Sequence, residues 1–172
     1  MNTEIHYREI EEGEEERVSA FLKEVFGAFI APDLEREGVR DFADYASPEK
    51  LEKRSEENHF VLIAEAGTRL VGVLEMRNHC HLALLFVHQE FQRRGIGRAL
   101  LDRALHRCRA ATPTLAAVTV NAFPGAVSAY RRMGFEPTGP EKIENGIRFV
   151  PMRLDLRRKK NGQNSAESQD TA

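Results

Sequence analysis

"HLALLFVHQEFQRRGIGRALLDRAL", His81 to Leu105, decides how this chain folds. It opens as an apolar run, passes through a turn holding Gly95 and Gly97, and then becomes a helical pattern. Ile96, Leu100, Ala104 and Cys108 form one stripe of that helix, and Leu101 and Leu105 widen it. A strand that ends in such a turn points several free N–H groups at one spot, and the helix dipole adds partial positive charge there. The glycines let a backbone approach closely, which a Cβ would block. Arg93, Arg94 and Arg98 place three cations beside this seat for phosphate. Two familiar phosphate loops are excluded. A P-loop needs Gly-Lys-Ser or Gly-Lys-Thr, and a dinucleotide fingerprint needs a third glycine where Leu100 stands. On the two glycines alone, a tight turn without a ligand is the simpler reading.

Upstream, "HFVLIAEA" and "RLVGVLEMR" read as two strands joined by a Gly-Thr hairpin, followed by a third strand over "HCHLALLFVH". That third run is nearly continuous in apolar residues, so it is expected to be central and covered on both faces. Further upstream, Val18, Phe21, Leu22, Val25, Phe26, Phe29 and Ile30 show the i, i+3, i+4 spacing of one buried helix face, which Pro32 stops. "LEREGVRDFADYA" is a weaker helix, and "SPEKLEKRSEE" a short one with Ser47 as N-cap and Pro48 at its first position. "EIHYREI" alternates as a first strand.

Downstream, "TLAAVTVNA" is a strand, and "PGAVSAYRRMGF" a short helix with Gly134 as its left-handed cap. "IRFVPMRLDL" is a last strand, in which Pro151 suggests an edge or a bulge. The order β, two to three helices, β-β-β, α, β, α, β predicts a mixed α/β (α+β) sheet without regular crossovers. Residues 1–156 read as one domain and 157–172 as a disordered polar tail.

With 41 % hydrophobic and 30 % charged residues, the chain has material for a real core. A formal net charge of -2 gives no global attraction to nucleic acid or to an anionic membrane. No apolar run is long enough to span a bilayer, and the acidic start "MNTEIHYREIEEGEEE" has no apolar core of a signal peptide. A cytoplasmic protein is expected, with Cys80 and Cys108 as buried thiols, not a disulfide. His79, Cys80 and His81 show no third ligand, so no metal is expected.

Beyond the glycines, "LFVHQEFQRRGIGRALLDRAL" resembles the acetyl-CoA site of the GNAT superfamily of N-acetyltransferases. There the pattern is Gln or Arg, two residues, Gly, one residue, Gly or Ala; here it runs Gln92, Arg93, Arg94, Gly95, Ile96, Gly97. "VTVNAFPGAVSAYRRMGFEPTG" is similar to the family's next strand and helix, with Tyr130, Gly134 and Phe135 in its Tyr-x-x-x-Gly-Phe signature. The resemblance implies a mostly antiparallel sheet with splayed middle strands, flanked by helices. It also implies a cytoplasmic enzyme that moves acetyl from acetyl-CoA to a primary amine by direct attack in a ternary complex, as a monomer or homodimer. The N–H groups from Arg93 to Arg98 would hold the coenzyme pyrophosphate. The backbone of Leu85, Phe86 and Val87 would pair with the pantetheine arm, and an N–H near Phe86 or Val87 would face the thioester oxygen. Tyr130 would sit by the sulfur as general acid. Seven residues before it, where many members carry Asn or Ser, stands Phe123, and Asn121 is the substitute.

The chemistry needs a neutral amine, and a lysine-type amine with a pKa of ~10.4 is mostly protonated at neutral pH. Two proton acceptors are candidates. His81 stands where the histone-modifying branch carries a Glu, and Glu75 lies on the preceding strand. Each has a plainer reading, His81 as a polar strand end bonded to its neighbour and Glu75 as a solvent-facing carboxylate. For the acceptor pocket, Phe26, Phe29, Phe42 and Tyr45 are candidate walls, and Asp33, Glu35, Glu37, Asp41 and Asp44 could draw in a cation. A competing reading is a coenzyme-binding sensor without turnover.

Overall fold

The computed structural model describes residues 3–157. The polar tail expected from residue 157 lies, apart from Arg157, outside them. Strand β1 (Ile5–Glu9) is followed by helices α1 (Glu15–Phe29), α2 (Arg36–Tyr45) and α3 (Pro48–Ser55). Then come β2 (His59–Ala66), β3 (Arg69–Arg77), β4 (His81–Val87), α4 (Ile96–Ala111), β5 (Ala117–Ala122) and α5 (Val127–Arg132). The short strands β6 (Glu136–Pro137) and β7 (Lys142–Glu144) precede β8 (Ile147–Asp155). The sheet order is β1-β2-β3-β4-β5-β8-β6, with β7 also on β8. All pairs are antiparallel except β4 with β5. The expected class and order hold; β6 and β7 are additions, too short to leave a period in the sequence.

Two apolar clusters cover the two faces of the sheet. One gathers α4 and α5, around Leu100, Leu101, Tyr130 and Phe135. The other gathers α1, α2 and α3, around Val18, Leu22, Phe26 and Phe42. Helix α4 lies close on the sheet because residue 72 is glycine: a Cβ there would come within 3.1 Å of Ile96 Cγ2 and of Leu100 Cδ1. Helix α3 begins as the sequence predicts, with the Ser47 hydroxyl accepting from the Lys50 N–H at 3.4 Å.

Strand β4 departs from the expected plain central strand in three ways. It starts at His81, because Asn78 and His79 are both left-handed (φ 51° and 55°) and turn the chain out of β3. That turn leaves Cys80 exposed, while Cys108 is buried and both thiols are free. Second, Glu75 pairs with Leu84 and Met76 with Leu82, so Ala83 is the extra residue of a β-bulge. The bulge switches faces: Leu82, Leu85 and Val87 point to the α4 side, Leu84 and Phe86 to the α1 side. Third, β4 meets β5 only through His81–Thr119 and Leu82–Val120, and beyond them the strands part. Burial along β4 therefore alternates instead of covering every residue.

Pro151 sits between the stretches of β8 paired to β6 and to β7. Its carbonyl accepts from the Thr138 N–H on that side, so the donor that proline lacks would point into the break in the ladder.

Candidate active site

A cleft of about 1120 Å³ opens where β4 and β5 part. That exceeds the ~300–1,000 Å³ of ordinary small-ligand pockets and is room for two reactants. One half is bounded by the turn Phe91–Arg98 and by α5, the other by α1 and the segment after it.

The turn is shaped as its residues suggest. Arg93 and Gly95 are left-handed (φ 61° and 80°), and Gly95 is the residue before α4. Left-handed residues in a turn can bring successive N–H groups to one side, a concavity for anions. The first amides of the 16-residue α4 add to it. Arg93, Gly95, Ile96, Gly97 and Arg98 all line the cleft, whereas the Arg94 guanidinium stacks 5.0 Å from the Phe91 ring centroid. Gln92 also lines the cleft. Its side-chain amide donates to the Val87 carbonyl at 3.1 Å and ties the turn back to β4. His88 caps the approach by accepting the Glu90 N–H at 3.3 Å.

The ladder decides which amides of β4 are free. The His88 N–H bonds the Val71 carbonyl in the register that pairs Gly72 with Val87. Alternation then turns the N–H of Phe86 toward β3 and those of Leu85 and Val87 toward the cleft. Of the three residues named from the sequence, Leu85 and Val87 offer main-chain groups, and Phe86 contributes its side chain to the α1 core.

Tyr130 lines the cleft and is 8 % exposed. Its ring packs edge-on against Phe135 at 5.4 Å, and burial raises its pKa, so the hydroxyl stays protonated. Ala126 and Met133 share its face of α5 and line the same wall, as does Arg132. Sequence reasoning passed over these, although helical spacing from Tyr130 identifies the first two. Asn121 and Phe123 both reach the cleft from the end of β5.

Neither candidate base lines the cleft. Glu75 is 1 % exposed, not solvent-facing. Arg54 donates to it from Nε at 2.7 Å and Nη2 at 3.1 Å, and His59 Nδ1 lies 2.7 Å away. Arg54 also donates to the Tyr45 carbonyl at 2.7 Å and stacks 3.8 Å from the Tyr45 ring centroid, so this pair joins α2 and α3 to β3. His81 Nδ1 lies 2.8 Å from Thr119 Oγ1. Burial, then the Arg77 charge, lowers its pKa to about 4, which leaves it neutral but weakly basic.

The expected acceptor walls divide. Phe26 and Phe42 are stacked at 3.7 Å inside the core, and Tyr45 lies under Arg54. Phe29, expected on the buried face, is 44 % exposed and lines the cleft with Asp33. Asp41 and Asp44 border a separate depression beside Lys50 and Lys53, and neither Glu35 nor Glu37 reaches the cleft. Among the described residues no three His, Cys, Asp or Glu side chains group as metal ligands, and no helix is long and apolar enough to cross a membrane.

Residues 30–156, well over half of the chain, match the family described as Acetyltransferase (GNAT) domain. The chain belongs to the GNAT acetyltransferase family. Solved structures of low identity share its fold. A GCN5-related N-acetyltransferase of Rhodopseudomonas palustris is 21 % identical (TM-score 0.74), with 91 % of this chain and 99 % of that one covered. The PaiA N-acetyltransferase of Thermoplasma acidophilum, solved with coenzyme A, is 18 % identical (TM-score 0.73), covering 88 % and 99 %. A spermidine N-acetyltransferase of Vibrio cholerae, solved with coenzyme A and spermine, is 18 % identical (TM-score 0.61), covering 93 % and 100 %. As a GNAT member the protein is an acetyltransferase, and the mixed, mostly antiparallel sheet is that of the family.

Proposed function

We propose that this GNAT protein transfers acetyl from acetyl-CoA to a primary amine, by direct attack with both reactants in the cleft. The observation that carries the donor assignment is the left-handed turn at Arg93 and Gly95, opening α4 at the end of the parted strand. Its amides suit a diphosphate, Arg93 and Arg98 add charge, and the N–H groups that Leu85 and Val87 turn to the cleft suit an extended amide-bearing arm. Bound there, acetyl-CoA supplies the acetyl group as a thioester.

The chain's own residues then have three tasks. The N–H of Val87 or Leu85 faces the carbonyl oxygen and steadies the negative charge formed when the amine nitrogen attacks; one such donor contributes roughly 2.7–4 kcal/mol. Tyr130 donates a hydrogen bond to the departing sulfur. Full proton transfer from it is uphill, because an ordinary thiol has a pKa of ~8.5 and the Tyr130 hydroxyl lies above its own usual ~10. The third task is to accept the amine in neutral form. With Glu75 held by Arg54 and His81 only weakly basic, its proton leaves to water and not to a side chain.

Calorimetry with acetyl-CoA tests the donor assignment. Gly95→Asp places a carboxylate and a strained left-handed residue in the turn, and should weaken binding about a hundredfold or more. Equal heats for both proteins would remove the assignment. Thiol release with an amine present separates an enzyme from a silent coenzyme binder.

A further inference from the structure

Once the turn half of the cleft is given to the donor, as proposed above, the acceptor is left with the half under α1. Much of its wall is apolar. Phe29, Ile30 and Leu34 face it from α1 and the segment after it, Leu84 from β4, and Phe123 from the end of β5. Among the described residues, two carboxylates line the cleft, Asp33 and Glu141, and Glu141 lies 3.8 Å from the Arg148 guanidinium. One uncompensated carboxylate is too few to hold a chain of ammonium groups. Phe29 is the informative residue. Phe26, one turn earlier on the same helix, is 3 % exposed, while Phe29 is 44 % exposed and turned into the cleft.

We infer that the acceptor is a primary amine carried on an apolar body, and that Phe29 is its principal contact. An apolar wall also disfavours the ammonium form by desolvation, in a cleft that neither candidate base lines. A small arylalkyl amine and a peptide whose first residue is aromatic share this chemistry.

The test is binding to the protein saturated with coenzyme A thiol, followed by calorimetry at mildly alkaline pH. The probes are 2-phenylethylamine, a phenylalanine-initial peptide amide, spermine and glucosamine. At least one of the first two should bind about tenfold more tightly than the last two, since one apolar group fitted to a pocket is worth roughly 10–200-fold. The tighter of the first two tells a small amine from a peptide. Phe29→Ala should lose about tenfold of that preference, and Phe29→Leu should keep most of it, with coenzyme affinity unchanged in both. Tighter or equal binding of spermine or glucosamine overturns the inference, as does a Phe29→Ala protein that still prefers the apolar amine. No binding of either apolar probe, with coenzyme A still bound, also overturns it and leaves the donor reading standing. Failure to bind coenzyme A removes both.

Discussion

The turn half of the cleft is lined by a left-handed turn between Phe91 and Arg98; the half under α1 is lined by Phe29, Ile30 and Leu34. The turn itself is one continuous stretch of chain, held by local contacts such as the Gln92–Val87 and His88–Glu90 bonds. The second is assembled from α1, β4, β5 and the β7–β8 hairpin, whose Gly146 abuts Gly38 of α2. A local backbone device tolerates side-chain change and fails on backbone change. A wall made of distant segments depends on whatever holds those segments in place.

The largest expected effect probes that dependence. Glu75→Ala leaves Arg54 without its counter-charge and His59 Nδ1 without its partner, and loosens α2 and α3 on β3. Breaking a buried pair of this kind costs about 3–5 kcal/mol, read as a fall in urea midpoint. Its KM for the amine should rise while coenzyme affinity holds; loss of coenzyme affinity instead would break the division between the halves.

Tyr130→Phe should lower kcat about a hundredfold, within the range for acid–base assistance, with acetyl-CoA binding nearly unchanged. An unaltered kcat would leave Tyr130 as packing against Phe135 only.

The pH profile comes next. With Glu75 and His81 both away from the cleft, kcat/KM for the amine should rise about tenfold per pH unit up to the amine's own pKa, which for a lysine-type amine is ~10.4. A plateau reached near the ordinary histidine or carboxylate range would restore a side-chain base.

The smallest effect concerns the far end of β4. His81 has a folded pKa of about 4 against an ordinary 6.5. Between those values the unfolded chain binds a proton that the folded chain does not, so stability falls as pH falls from 6.5 to about 4. After allowance for partial exposure this is of order 1–2 kcal/mol, and His81→Gln should flatten the slope without touching kcat.

Much of this was legible from residues alone. The stripe Ile96, Leu100, Leu101, Ala104, Leu105 and Cys108 is buried as its spacing implies. The Gly-Thr hairpin joins β2 to β3 where expected, and Ser47 caps α3. Each rests on interactions within a few positions of itself, which local pattern records. Three features left no such record. The bulge at Ala83 depends on how β3 and β4 pair, and the run "LALLF" reads the same with or without it. Glu75 looked like a surface carboxylate, because its partner Arg54 stands on a helix 21 positions away. Phe29 continued an apolar stripe, and nothing in α1 says that the sheet beneath it has opened into a cleft.

By itself, then, the order of residues determined the longer elements, the glycine turn and the family, because periodicity, glycine freedom and helix-end geometry act over one or two turns of chain. Only the tertiary structure decided which amides of β4 are free, which aromatic faces the cleft and which carboxylate is tied up. Those outcomes depend on strand register and on the meeting of segments far apart in the chain, and no local pattern encodes such pairings.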